Sequence, residues 1–116
     1  MRRILLKSKL HRATITETNL HYEGSITIDG ALLDQADILE HEQVQVYDIN
    51  NGARLTTYAI RGTPGSGMIC MNGAGARLVQ AGDLVIICTF AEYGPDELHN
   101  HRPRVLILDT ANRVES

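Results

Sequence analysis

Gln43-Val44-Gln45-Val46-Tyr47-Asp48-Ile49, then Asn50-Asn51-Gly52-Ala53-Arg54, then Leu55-Thr56-Thr57-Tyr58-Ala59-Ile60, is the stretch that decides the fold. Apolar and polar residues alternate on both arms, the period of a strand with one buried face, and Asn51-Gly52 tolerates the left-handed backbone of a tight type I′ turn. The spacing therefore predicts a hairpin, strands at 43–49 and 55–60. The pattern continues outward. Asp83 to Phe90 is an almost unbroken apolar run rich in β-branched residues, too short for an ordinary helix, and reads as a strand buried on both faces. Shorter strands are expected at Ser25–Asp29, Met68–Met71 and Val105–Leu108. Asp29 can cap one brief helix carrying Leu32, Leu33 and Ala36. Many short strands with little helix mean a mainly β chain, a closed barrel or a sandwich, and composition does not choose between them.

The first sixteen residues add one long bent strand, Arg3 to Thr16, with a bulge expected near Ser8. If that strand were unbroken, Lys7, Lys9 and His11 would share one side and Leu6, Ser8 and Leu10 the other. Thr63-Pro64-Gly65-Ser66-Gly67 is an exposed connection, and Asn72-Gly73-Ala74-Gly75-Ala76 is a turn whose backbone can approach a ligand closely. The polar end, Asp109 to Ser116, is expected to fray.

A chain of 116 residues suits one domain spanning 1–116. Its formal charge of −3, with acids and bases interspersed, offers no basic stripe for nucleic acid. The basic start, Met1 to Lys7, carries an apolar run too brief for a secretory signal or a membrane span, so a cytoplasmic protein without membrane contact is expected. Cys70 and Cys88 fall in strand-like segments, read as small hydrophobes, and are not expected to form a disulfide. His99-Asn100-His101 has two histidines in a polar loop, a solvated arrangement, and no metal is assigned.

One dipeptide carries more chemistry than its neighbours. In Tyr22-Glu23-Gly24-Ser25 the serine hydroxyl stands next to a carbonyl that no Cβ shields. Attack of Ser25 on the Gly24 carbonyl would turn an amide into an ester. Elimination would then leave a dehydroalanine at the new amino terminus, and hydrolysis would make it a pyruvoyl group. Gly-Ser is also among the commonest turn dipeptides, so these residues alone favour the ordinary reading.

The wider pattern changes the balance. Lys9-Leu10-His11-Arg12, Leu20-His21-Tyr22-Glu23-Gly24-Ser25, Asn51-Gly52 with Arg54 and Thr57-Tyr58-Ala59-Ile60, and Asn72-Gly73-Ala74 together resemble bacterial aspartate 1-decarboxylases, in register from the first residue to about Phe90. The chain departs at Ile26, where a cysteine is often found, and at Gly75, which replaces an alanine and would loosen its loop. The resemblance implies a small six-stranded double-psi β-barrel with short helices. It also implies self-cleavage between Gly24 and Ser25, giving chains 1–24 and 25–116. Ser25 becomes the pyruvoyl cofactor, with neither metal nor pyridoxal phosphate. An amino acid would bind it as a Schiff base and lose its α-carboxylate, so that L-aspartate gives β-alanine and CO2 for pantothenate synthesis.

Further roles follow from the same likeness. Arg54 and Lys9 bind substrate carboxylates; Tyr58 donates the proton to the carbanion; Thr57 acts at the Gly24 carbonyl and on substrate. Asn72, Gly73, Ala74 and Gly75 complete the substrate-binding set. A forked guanidinium suits a carboxylate, and two cations suit a diacid. Without the likeness, Arg54 reads as a solvated strand residue, Tyr58 as packing and Lys9 as an edge-strand lysine. Arg54 and Tyr58, four apart with Thr56 between them, share a strand face, and Thr57 points the other way; a bulge or a neighbouring subunit must reconcile this with its implied role. His11 lies on the Lys9 side with its role open. The family assembles as a homotetramer with active sites between subunits, and the sequence leaves room for an accessory maturation protein. Two other readings compete: an unprocessed barrel acting as a binding module, and a pyruvoyl enzyme for another amino acid.

Overall fold

A computed structural model of the chain describes residues 1–115. Eight strands form a single sheet: β1 (Arg3–Thr14), β2 (Glu17–Asn19), β3 (Ser25–Asp29), β4 (Gln43–Asp48), β5 (Arg54–Gly62), β6 (Ile69–Asn72), β7 (Leu84–Tyr93) and β8 (Arg104–Ile107). They lie side by side in the order β2-β6-β3-β5-β4-β7-β1-β8. β1 and β2 sit near opposite ends of that order yet are separated in the chain only by Ile15 and Thr16. Ile15 N–H donates to Asp83 O (2.9 Å) and Thr16 N–H to Ile69 O (2.8 Å), so one run of chain joins both ends and rolls the sheet into a barrel. Leu10, Ile15, Ile26, Val44, Val46, Ile69, Met71, Val85 and Ile87 fill it, all essentially inaccessible to solvent.

The expected mainly β barrel with short helices holds in broad outline, and its strand count is corrected from six to eight. The additional elements are short: β2 pairs in parallel with β6, and β8 in parallel with β1, through three and four residues. β8 is the strand expected at Val105–Leu108, begun one residue earlier; only β2 is too brief for its alternation to register in the sequence. The helix α1 (Gly30–Ala36) starts as expected, with Asp29 Oδ1 accepting from Ala31 N–H at 2.8 Å. The Asp29 carboxylate also receives the amides of Gly65 and Gly67, both at 2.8 Å, and so folds the 63–67 connection over the helix start.

Of three local expectations, those for the turn and the chain end are corrected, and the bulge near Ser8 is present. The hairpin turn is longer than two residues: β4 ends at Asp48, and only Gly52 (φ 77°) is left-handed. Asp48 Oδ1 takes the amides of Asn50 (2.7 Å) and Asn51 (3.1 Å), and this carboxylate sets the wider loop. In β1 the register slips twice, between Leu6 and Ser8 and between Leu10 and Ala13, where Arg12 adopts φ 64°. The first slip moves Leu6 opposite exposed Phe90, on the Lys9 side of the sheet, while Ser8 and Leu10 stay inward. The third concerns the end of the chain. Residues 109–115 do not fray: Leu108 bridges Val114, and Asn112, 2 % exposed, donates to Thr14 O and Gly67 O and accepts from Thr14 N–H. One buried amide satisfies three backbone groups and pins the segment. Ser116 lies outside the described residues.

Candidate active site

β3 runs between β6, antiparallel to it, and β5, parallel to it. Ser25 stands opposite Asn72 and Thr27 opposite Cys70, so these four side chains share one face; Ile26 and Met71, paired between them, face the core. Ser25 is 1 % exposed. Its Oγ accepts an N–H from Asn72 Nδ2 at 3.0 Å and donates to Glu23 O at 3.3 Å. The second hydrogen of Asn72 Nδ2 goes to Thr27 Oγ1 at 3.0 Å, and Asn72 Oδ1 accepts from Cys70 Sγ at 3.2 Å. The donor at residue 25 is thus an N–H, which fits an oxygen that can only accept, as the ketone implied by the resemblance would. Among the described residues no group of histidines, cysteines and carboxylates has metal-binding geometry.

Gly24 has open space where a Cβ would stand, so packing within the chain does not demand glycine there. Gly73 does demand it. Its φ is +69°, and a Cβ on it would lie 2.6 Å from Gly24 Cα and 3.0 Å from Tyr22 O. The turn after β6 therefore presses directly on the backbone before Ser25. A cavity of about 290 Å3 opens beside Gly24, lined by Thr57, Tyr58, Asn72, Ala74 and Gly75. Gly75 is not a loose point: a Cβ there would meet Met71 Sδ at 2.6 Å and Leu55 Cδ1 at 3.1 Å, so Met71 occupies the space an alanine would use.

β5 pairs with β4 from Arg54 to Tyr58 without a register shift, so no bulge turns Thr57. None is needed. Thr57 pairs with buried Val44, on the core face, and meets Gly24 at the cavity, whereas the Ser25 side chain points to the opposite face. The cleavage peptide straddles the sheet. In parallel pairing Ile26 lies opposite Ala59, which brings Tyr58, one place earlier, beside Ser25.

Lys9 and Arg54 stand elsewhere. Lys9 pairs with Cys88, Cys88 with Gln45 and Gln45 with Thr56, a row of side chains across β1, β7, β4 and β5. Lys9 is thus four strands from β3, about 19 Å along the sheet, and Arg54 is about 13 Å along β5 from Tyr58. A diacid with three carbon–carbon bonds spans only about 4 Å between its carboxyl carbons. Measured along the sheet, both cations lie farther from Ser25 than that span. Arg54 stacks over the Tyr47 ring, 4.0 Å from its centroid, and among the described residues neither cation is paired with a carboxylate. Both bear on Cys88: burial pushes its thiol up, against the pull of Lys9 and Arg54. A hollow of about 570 Å3 lies along this outer face, with Gln43, Gln45, Cys88 and Phe90 in its walls.

His11, whose role the sequence left open, has Nδ1 buried without a hydrogen-bond partner among the described residues. Sequence reasoning passed over Thr27 and Cys70. Their signal was the two-residue spacing from Ser25 and from Asn72, and a cysteine in an apolar strand reads as a hydrophobe until its cross-strand neighbour is known.

The family model for aspartate decarboxylase matches residues 1–115. An aspartate 1-decarboxylase of Syntrophobacter fumaroxidans is 58% identical over 97% of this chain and 91% of its own. That of Heliobacterium modesticaldum is 59% identical over 98% and 86%, and that of Methylibium petroleiphilum 53% identical over 100% and 97%. Among solved structures, the rationally designed mkDPBB_sym1 protein aligns with a TM-score of 0.48 and 18% identity, covering 73% of this chain and 96% of that one.

Proposed function

The chain belongs to the aspartate decarboxylase family, and from that premise we propose that it cuts itself between Gly24 and Ser25 and then decarboxylates L-aspartate to β-alanine in the cytoplasm, for pantothenate synthesis. The observation that carries the proposal is the Gly24–Ser25 junction: an unshielded carbonyl, pressed by Gly73, next to a buried hydroxyl that already accepts an N–H from Asn72. In the cut, Ser25 Oγ adds to the Gly24 carbonyl carbon. The carbon–nitrogen bond breaks, and the nitrogen takes up a proton as the free amine. Charge that develops on the Gly24 oxygen is met by the Thr57 hydroxyl, a contribution on the order of 3 kcal/mol in well-formed oxyanion sites. Loss of the Ser25 Cα proton then expels the Gly24 carboxylate, and hydrolysis of the resulting dehydroalanine releases ammonia and leaves the pyruvoyl group.

That group supplies an electrophilic carbonyl that takes up the electrons released as CO2 leaves. The remaining work falls to side chains. Arg54 holds the side-chain carboxylate through two parallel charge-assisted hydrogen bonds, because gripping the departing carboxylate would stabilise the ground state more than the transition state. Lys9 offsets the second negative charge, and Tyr58 delivers a proton to Cα. Asn72 and the Gly73–Gly75 backbone hold the amino acid at residue 25. Lys9 and Arg54 lie more than a substrate length from Ser25 along the sheet, which supports a working site assembled between copies in a homotetramer, one chain giving the residue 25 half and another the cationic half. An accessory maturation protein would act on the exposed Tyr22–Gly24 segment.

Intact-mass measurement of the purified protein tests the proposal. Two fragments are expected, one ending at Gly24 and one beginning at residue 25, the latter lighter by one ammonia than a fragment with a free serine terminus. Incubation with aspartate should then release CO2 and β-alanine. A single uncut chain, or fragments that leave aspartate untouched, overturns it.

A further inference from the structure

The antiparallel register of β3 and β6 gathers Ser25, Thr27, Cys70 and Asn72 on one face, and among them the Asn72 amide is the hub. Both of its hydrogens are used, on Ser25 Oγ and Thr27 Oγ1 at 3.0 Å each, and its oxygen accepts from Cys70 Sγ at 3.2 Å. The two ends of a carboxamide are nearly alike in shape, so only the partners decide which end faces which way. The hydroxyls of Ser25 and Thr27 can donate or accept and would tolerate either orientation. The thiol is weak both as donor and as acceptor, but at 3.2 Å from the amide it is placed to donate, which favours the orientation with Oδ1 toward Cys70.

We infer that Cys70 is a positioning residue for chain cleavage: it holds Asn72 so that an N–H, and not a carbonyl oxygen, faces the Ser25 hydroxyl. The inference rests on the self-cleavage proposed above and adds to it the group that orients the nucleophile's partner. The chemistry requires that orientation. As Ser25 Oγ loses its proton and attacks Gly24, negative charge builds on Oγ before the new bond is complete; an N–H stabilises that charge, and an amide oxygen would repel it. Burial first, then the charge and hydrogen bond of the Glu17 carboxylate, raise the Cys70 thiol above its ordinary value, so it keeps its hydrogen at neutral pH, with Asn72 Oδ1 at 3.2 Å and the Glu17 carboxylate as its two acceptors.

Four full-length chains test this by the rate at which freshly purified uncut protein converts to fragments, read by intact mass. The native chain sets the reference. Cys70→Ala and Cys70→Val, which remove the donor with and without loss of volume, are expected to cleave about five- to twentyfold more slowly. Cys70→Ser, which restores a donor, is expected within about twofold of the native rate at an unchanged melting temperature. A merely structural role would not distinguish serine from valine in that order. Native-rate cleavage in the valine or the alanine chain, or a serine chain as slow as both, overturns the inference and leaves the proposed function standing. A native chain that stays whole overturns the proposed function, and this inference with it.

Discussion

The β3/β6 pair and the β1-β7-β4-β5 row handle their polar side chains in opposite ways. On β3/β6, Ser25, Cys70 and Asn72 are buried, and Asn72 spends both hydrogens and its oxygen inside the group. On the row, Lys9 and Arg54 keep their charges unpaired among the described residues, one half-buried and one exposed, above a hollow walled by Gln43, Gln45 and Cys88. A satisfied network fixes geometry, which an intramolecular attack needs; unpaired cations hold binding capacity in reserve, which a charged substrate needs. The buried group and the cationic row lie on the same outer side of the sheet but on different strands, and the proposed function gives the first to making the reactive group and the second to gripping the substrate. They meet only if a second copy supplies what the first lacks.

The strongest way to break that comparison is complementation. A Ser25→Ala chain and an Arg54→Ala chain should each be inactive toward aspartate, whereas oligomers reassembled from an equal mixture should regain on the order of a quarter of native activity, because one kind of interface then joins two intact halves. No recovery in verified mixed oligomers would mean that both halves work within one chain. Next in size is Arg54→Lys. Loss of the fork should lower kcat/KM for aspartate roughly ten- to a hundredfold and leave the extent of Gly24–Ser25 cleavage unchanged, as mass and steady-state kinetics together report. Slowed cleavage in that variant would join the two groups that the strand order keeps apart.

A smaller effect probes the turn beside the cavity. Gly75→Ala should cost about 1 to 3 kcal/mol through its clash with Met71, measured by denaturant unfolding, and Met71→Val in the same chain should recover most of the loss. Additive costs would show that Met71 is not the obstacle. The smallest concerns the hairpin that carries Arg54. Burial first and the neighbouring Asp83 next raise the Asp48 carboxyl above its ordinary value, against the amides of Asn50 and Asn51. A raised acid contributes stability that is fully present below its unfolded pKa and is lost as pH rises through the folded one. At neutral pH Asp48 therefore carries a cost that Asp48→Asn removes, since its oxygen can still accept both amides. The melting temperature of the variant relative to native protein should rise by about 1 to 3 °C between pH 4 and pH 7. A falling difference would reverse the sign of the coupling.

Much of the architecture was legible because alternation reports burial directly: the strands at Ser25, Gln43 and Leu84, and the Asp29 cap, stand where apolar spacing and capping chemistry put them. The Asn51-Gly52 turn was legible only in part, since the deciding group is the Asp48 carboxylate and a side chain's choice of amides is not written in a dipeptide. The ordered tail was hidden for a similar reason. Asn112 is polar in a polar segment, and nothing local shows that it closes on Thr14 and Gly67.

Within the candidate site, the sequence singled out Gly24, Ser25, Thr57, Tyr58 and Asn72, and the fold collects them around one cavity and one face. The resemblance also named Lys9 and Arg54, and could not tell that Lys9 stands four strands from β3 and Arg54 about 13 Å along the neighbouring strand from Tyr58. The hydroxyl beside an unshielded carbonyl is read from the residues alone, whereas the roles of Arg54, Lys9, Thr57, Tyr58 and Asn72 come from the resemblance. That much the chain determines by itself. Which groups become neighbours depends on register between segments 45 residues apart and more, set when the barrel closes and every inward side chain must fit at once. Closure of the barrel decided that Cys70 would donate to Asn72, that Gly73 would press on Gly24, and that Lys9 would stand four strands from β3.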